Sequence, residues 1–162
     1  METRKKNRLK GWDYGRNGAY FITICTEGKK KLLSNIVGDG AFDVPKNVLT
    51  EYGKIVDKYI NSSNNINGIS IDKYVIMPNH IHMIIIVENN ESGTSKAPSP
   101  TNSLIAHAIS TLKRFVNKDI GKNIFQRSFH DHIIRNEQDY QHIWTYIDNN
   151  PLKWELDCFY EC

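Results

Sequence analysis

Hydrophobic patterning along the chain predicts an α+β fold, an antiparallel sheet with helices on one face and a further helix at the C-terminal end. Three observations predict it. Segments 19–26 and 68–87 alternate or run apolar over strand lengths, 45–63 and 103–120 repeat apolar residues at helical spacing, and the two kinds interleave. A chain of 162 residues can bury one core of its own, so 1–162 is read as a single domain.

The elements follow in order. "AYFITICT" (19–26) alternates and is rich in β-branched and aromatic residues, which predicts a strand. "PKNVLTEYGKIVDKYINSS" (45–63) opens on Pro45 and sets Val48, Leu49, Tyr52, Ile55, Val56 and Tyr59 at helical spacing, which predicts a helix over the whole segment. "GISIDKYVIMPNHIHMIIIV" (68–87) reads as two strands around a tight turn at Met77-Pro78-Asn79. Residues 88–103, "ENNESGTSKAPSPTNS", hold almost no apolar side chain and read as a flexible loop inside the domain. "SLIAHAISTLKRFVNKDI" (103–120) is an amphipathic helix, and "NIFQRSFHDHIIR" (123–135) a fourth strand. "NEQDYQHIWTYIDN" (136–149) carries its acidic residues early, as a helix dipole favours, and Pro151 stops it. The order βαββαβ plus one helix is the ferredoxin-like pattern.

Net charge is +3, and its distribution says more than its size. Arg4, Lys5, Lys6, Arg8 and Lys10 crowd the N-terminus; Lys29, Lys30 and Lys31 form a second knot; Lys113, Arg114, Lys118 and Lys122 form a third. Clustered cations favour a phosphate backbone, because each neutralised phosphate releases condensed counterions. Eight tyrosines and three tryptophans add stacking faces for unpaired bases, so single-stranded nucleic acid is the expected partner. No apolar run approaches the roughly 20 residues of a membrane span, and the basic N-terminus lacks the apolar segment of a secretory signal. The chain is read as cytoplasmic. Its three cysteines have neither zinc-site nor disulfide-framework spacing.

The polar intrusion in "PNHIHMIIIV" (78–87) is the chemical signal. Strand side chains alternate, so His80 and His82 share one face while Ile81 anchors the other. On a helix they would stand about 200° apart, at roughly 100° per residue. Two imidazoles side by side can ligate one divalent cation. His130 and His132 in "SFHDHIIR" form a second such pair, and geometry alone does not rank the two. Ile84 occupies the position where a histidine-triad hydrolase needs a third histidine. An amidohydrolase barrel of about 250 residues will not fit this chain.

Three blocks, "RLKGWDYGRNGAYFITICT", "YVIMPNHIHMIIIV" and "FQRSFHDHIIRNEQDYQHIWTYIDNNP", together resemble the single-tyrosine HUH transposases, and within them the REP-associated tyrosine transposases. The resemblance runs over roughly 8–155 with the motifs in order. It implies that His80 and His82, flanking Ile81, bind Mg²⁺ or Mn²⁺, that Tyr146 is the nucleophile, and that Asn150 completes the metal site where some relatives carry Gln. Tyr146 and Asn150 stand one turn apart on one helix face, as such a site needs. The implied activity is cleavage and strand transfer of single-stranded DNA at imperfect-palindrome hairpins, through a 5′-phosphotyrosine bond. Relatives form homodimers or stand as monomers, and both stay open. His130, His132 and Arg135 are left as candidates for contacts to DNA or around the metal. Arg4, Lys5, Lys6, Arg8, Lys10, Lys113, Arg114 and Lys118 are candidates for the DNA backbone. Two other readings stay open, a binding module of the same fold without the chemistry and a metal-dependent RNA-processing nuclease.

Overall fold

The alternation in 19–26 becomes β1 (Gly18–Cys25), and the 68–87 segment becomes β4 (Ile69–Ile76) and β5 (His80–Val87). The structure, a computed structural model, describes residues 17–38, 44–88 and 104–156, the side chains of 155 and 156 excepted. The loop expected at 88–103 lies outside the described residues from 89 onward, as does the N-terminal basic cluster. With β6 (His130–Ile134), the three strands form an antiparallel sheet in the order β4-β5-β1-β6. Strand order and helix placement are those of the ferredoxin-like pattern.

Two boundaries differ from the sequence reading. Residues 45–63 are not one helix: Lys46–Leu49 form β3, which pairs with an unanticipated β2 (Ser34–Val37), and α1 starts only at Glu51. Thr50 decides the start. Its Oγ1 accepts from the Gly53 amide at 3.1 Å, and this N-cap outcompetes a start at Pro45. A side chain on Gly53 would fall 2.0 Å from the Leu33 carbonyl oxygen, so the close approach of α1 to the residue leading into β2 requires glycine. The fourth strand is also shorter than 123–135. Residues 124–128 instead find partners on α2 (Leu104–Ile120): Asn117 Oδ1 accepts from the Ile124 amide, and Lys113 Nζ donates to the carbonyls of Gln126 and Ser128.

Both faces of the sheet are covered. Tyr20, Ile22 and Ile24 of β1, with Ile81, Met83 and Ile85 of β5, pack against α1 and α2. The alternate residues, Phe21, Ile84 and Ile86, pack against Ile143 and Ile147 of α3 (Glu137–Asn149). That double burial explains why β5 reads as an unbroken apolar run although its sheet is antiparallel. His80 and His82 fall on the α3 face.

Candidate active site

The pairing of β5 with β1 sets Thr23 opposite His82 and Cys25 opposite His80. Both imidazoles are buried, with ring centroids 4.4 Å apart. Each is oriented through Nδ1: Asn79 Oδ1 lies 2.7 Å from that of His80, and Thr23 Oγ1 lies 2.8 Å from that of His82. An Nδ1–H donated to Asn79 leaves the His80 lone pair on Nε2, the tautomer that a metal requires. Asn79 is itself fixed, because its carbonyl accepts from the Thr26 amide at 3.0 Å.

The chain crosses this pair along the end of α3. Tyr146 Oη stands 3.4 Å from His82 Nε2 and its ring meets Phe21 edge-on, yet the side chain is 39% exposed. Trp154, in the tighter 3₁₀ turns of Pro151–Leu156, lies nearly parallel over His80 at 6.0 Å. Asn150 sits on the chain between these two contacts. It is buried, and its Oδ1 has no hydrogen-bond partner among the described residues. Leaving a carboxamide oxygen so costs about 1–3 kcal/mol unless something else satisfies it.

A divalent cation fits that deficit. Among the described residues no group of three His, Cys, Asp or Glu side chains could hold a metal; the donors that converge here are two imidazoles and the Asn150 carboxamide. Three neutral donors leave the remaining positions, and all charge compensation, to water and phosphate oxygens.

No protein-family model matches the chain. An uncharacterised protein of Haemophilus influenzae is 32% identical over 173 residues, which cover 97% of this chain and 93% of that one. The REP-associated tyrosine transposase of Escherichia coli is 31% identical over 83 residues, 51% of this chain and 44% of that protein. A REP-associated tyrosine transposase solved bound to a REP hairpin shares the fold, with a TM-score of 0.61 at 23% identity, covering 95% of this chain and 74% of that one. Over about half its length the chain is thus similar to a REP-associated tyrosine transposase, and its fold is that of another.

The other sequence candidates lie apart from the histidine pair. His132 Nε2 is 3.0 Å from Asp139 Oδ2 on α3, and that hydrogen bond, first among its causes, holds the Asp139 carboxyl below its usual range. His130 is exposed and pairs across β1 with Thr23, which places it on the same sheet face as His82 with one strand between. Arg135 is exposed, directly after the end of β6. Lys113 is turned inward to the carbonyls of 126 and 128, and burial pushes its ammonium down to about 8. Arg114 and Lys118 are exposed on α2, which covers the sheet face opposite the histidines. Arg4, Lys5, Lys6, Arg8 and Lys10 lie outside the described residues. Sequence reasoning missed Thr23, Asn79 and Trp154, each recognisable only once β1, the 77–79 turn and the C-terminal turns converge. No helix among the described residues is long and apolar enough to cross a membrane.

Proposed function

We propose that the chain is a metal-dependent single-stranded DNA endonuclease and strand transferase that acts at hairpin repeats through a 5′-phosphotyrosine bond. One observation carries the reading: an accessible phenol oxygen 3.4 Å from a buried, oriented histidine pair, with an unsatisfied carboxamide oxygen one helical turn further on. His80, His82 and Asn150 would hold Mg²⁺ or Mn²⁺, whose chemistry is to polarise the scissile phosphodiester and favour departure of the 3′ oxygen.

The remaining work belongs to the chain. Tyr146 loses its proton to solvent, to which its side chain is part-exposed, and a cation held beside it would favour the ionised form of a phenol with an ordinary pKa of about 10. The phenolate oxygen forms a bond to phosphorus as the bond from phosphorus to the 3′ oxygen breaks, and that oxygen takes up a proton. The linkage conserves the phosphodiester, so a second 3′-OH reverses the step on another strand without ATP. Thr23 and Asn79 hold the imidazoles in place throughout, and Phe21 limits the swing of the tyrosine ring. Hairpin DNA as substrate is supported by the relative solved with a REP hairpin.

Incubation with Mn²⁺ and hairpin DNA bearing single-stranded flanks is expected to give a covalent adduct that survives SDS. The adduct should vanish in Tyr146→Phe and on chelation of the metal. Absence of an adduct across a library of hairpin sequences sinks the reading.

A further inference from the structure

We propose that the cleft between the β2–β3 hairpin and the turns after α3 holds one unpaired nucleotide of the DNA strand. The base would lie against Pro151, Leu152 and Trp154, and its phosphate against Lys31 and Lys153. The placement of that nucleotide beside the scissile phosphate rests on the strand-cleaving reading above.

The cleft measures about 670 Å³, within the roughly 300–1,000 Å³ of small-ligand sites. Its position is set by the two segments that carry the histidine pair and Asn150. Pro78 lines it two residues before His80, and Pro151 to Trp154 line it directly after Asn150. Trp154 belongs to both places, one side over His80 at 6.0 Å and Lys31 Nζ 5.8 Å from its ring centre. A strand whose phosphate sits at the histidines therefore has this cleft as its adjacent space.

The lining matches a nucleotide better than a purely apolar ligand. Two ammonium groups stand beside an apolar wall, and Ser34 and Asn35 supply a hydroxyl and a carboxamide from β2. The Ser34 hydroxyl is buried and has no hydrogen-bond partner among the described residues, so the exposed Asn35 is the group placed to read a base edge. The hairpin itself is an addition to the ferredoxin-like frame. It leaves Val37 and Val48 about half exposed, so its outer surface is not a core element. What holds it is directional bonding to the site's own segments: the Leu33 amide to the Pro78 carbonyl at 3.0 Å, and Asn47 Nδ2 to the Ile76 carbonyl at 2.8 Å.

The test measures binding of labelled hairpin DNA with random single-stranded flanks by fluorescence anisotropy, in full-length Tyr146→Phe protein so that cleavage does not intervene. The double variant Lys31→Ala/Lys153→Ala is expected to bind more weakly and to lower the salt dependence of log K by about 0.7, the loss of one single-strand phosphate. Leu152→Asp, at a position 51% exposed and safe for folding, should weaken binding roughly 5-fold or more by removing a base contact and repelling the phosphate. A flank substituted with 5-iodouracil should cross-link to the 151–154 segment. Unchanged affinity and salt slope in both variants, with circular dichroism unchanged, overturns the cleft. An adduct in wild type together with that result leaves the cleavage reading standing alone. Weakened binding in both variants with no adduct on any hairpin keeps the nucleotide site and takes down the cleavage.

Discussion

Tyr140 and Tyr146 lie on the same helix, and their hydroxyls meet different partners, a carboxylate and an imidazole. The Tyr140 hydroxyl donates to the carboxylate of Asp72, a residue that a β-bulge in β4 leaves out of the pairing with β5. That hydrogen bond, with burial and the negative charge behind it, pushes the Tyr140 phenol up to about 12. Tyr146 instead points its oxygen at His82 and the space a cation would share. One phenol is kept protonated as a fastener, and the other faces an imidazole at the candidate site. The contrast extends along α3. Its N-terminal half is tied to both sheet edges, through Tyr140–Asp72 on β4 and Asp139–His132 on β6. Its last turns carry Tyr146 and Asn150, and Lys73 of β4 braces them by an ion pair to Asp148 at 2.8 Å and a cation–π contact to Trp144 at 3.8 Å. Only Ile143 and Ile147 of the helix are buried, each contributing roughly 1.5–3 kcal/mol, so these polar ties matter to where the nucleophile stands.

The largest test of the contrast exchanges the two histidine pairs. His82→Ala should abolish the Tyr146 adduct, a loss beyond the about 10–100-fold typical of a residue that only orients a ligand. His132→Ala removes a tie to Asp139 but no group near the phenol, and should leave adduct formation within a few-fold of wild type. Quantifying the adduct on a denaturing gel decides between them. Retention in His82→Ala with loss in His132→Ala would move the metal to β6.

A step smaller is Thr23→Val, which keeps the shape of the side chain and deletes the hydrogen bond to His82 Nδ1. Adduct formation, or Mn²⁺ affinity by calorimetry, should fall about 10–100-fold, and Thr23→Ser should restore it. Wild-type values in Thr23→Val would show that packing alone orients the ring.

Thr23 also marks where the sequence stops being informative. The alternation rule places His80 and His82 on one face from local sequence alone, because strand geometry is local. Strand order and the helix at 137–149 were equally legible from periodicity. The partner of His82 was not, since it depends on the register between strands 59 positions apart, which no single segment records. The β2–β3 hairpin escaped for a different reason. "SNIV" and "KNVL" are four-residue strands with mixed polarity, and Val48 and Leu49 continue into the helical repeat of α1, so the period was ambiguous until Thr50 capped the helix. Lys113 shows the converse error of reading charge as surface: its place in the amphipathic pattern looks solvated, but its ammonium turns inward to two carbonyls.

The smallest effect tests the fastener itself. Tyr140→Phe should leave the adduct within a few-fold and cost about 1 kcal/mol of stability, the value of a hydrogen bond to a charged group reduced for the exposure of Asp72. The pH dependence is specific. A phenol whose pKa rises on folding stabilises the fold fully below its unfolded value of about 10, and loses that contribution as pH climbs through its folded value of about 12. The stability difference between wild type and Tyr140→Phe should therefore be constant up to about pH 10 and vanish by about 12. Lys113 runs the other way: its depressed pKa of about 8 makes the fold gain stability as pH rises from there towards the value of a free lysine. That contribution, like those of the raised phenols of Tyr59 and Tyr74, is common to both proteins and cancels in the difference. Urea unfolding followed by circular dichroism across this range makes the measurement. A difference that persists unchanged to pH 12 would mean that the Tyr140 phenol has the same pKa folded and unfolded, and that its hydrogen bond to Asp72 is not what fastens α3.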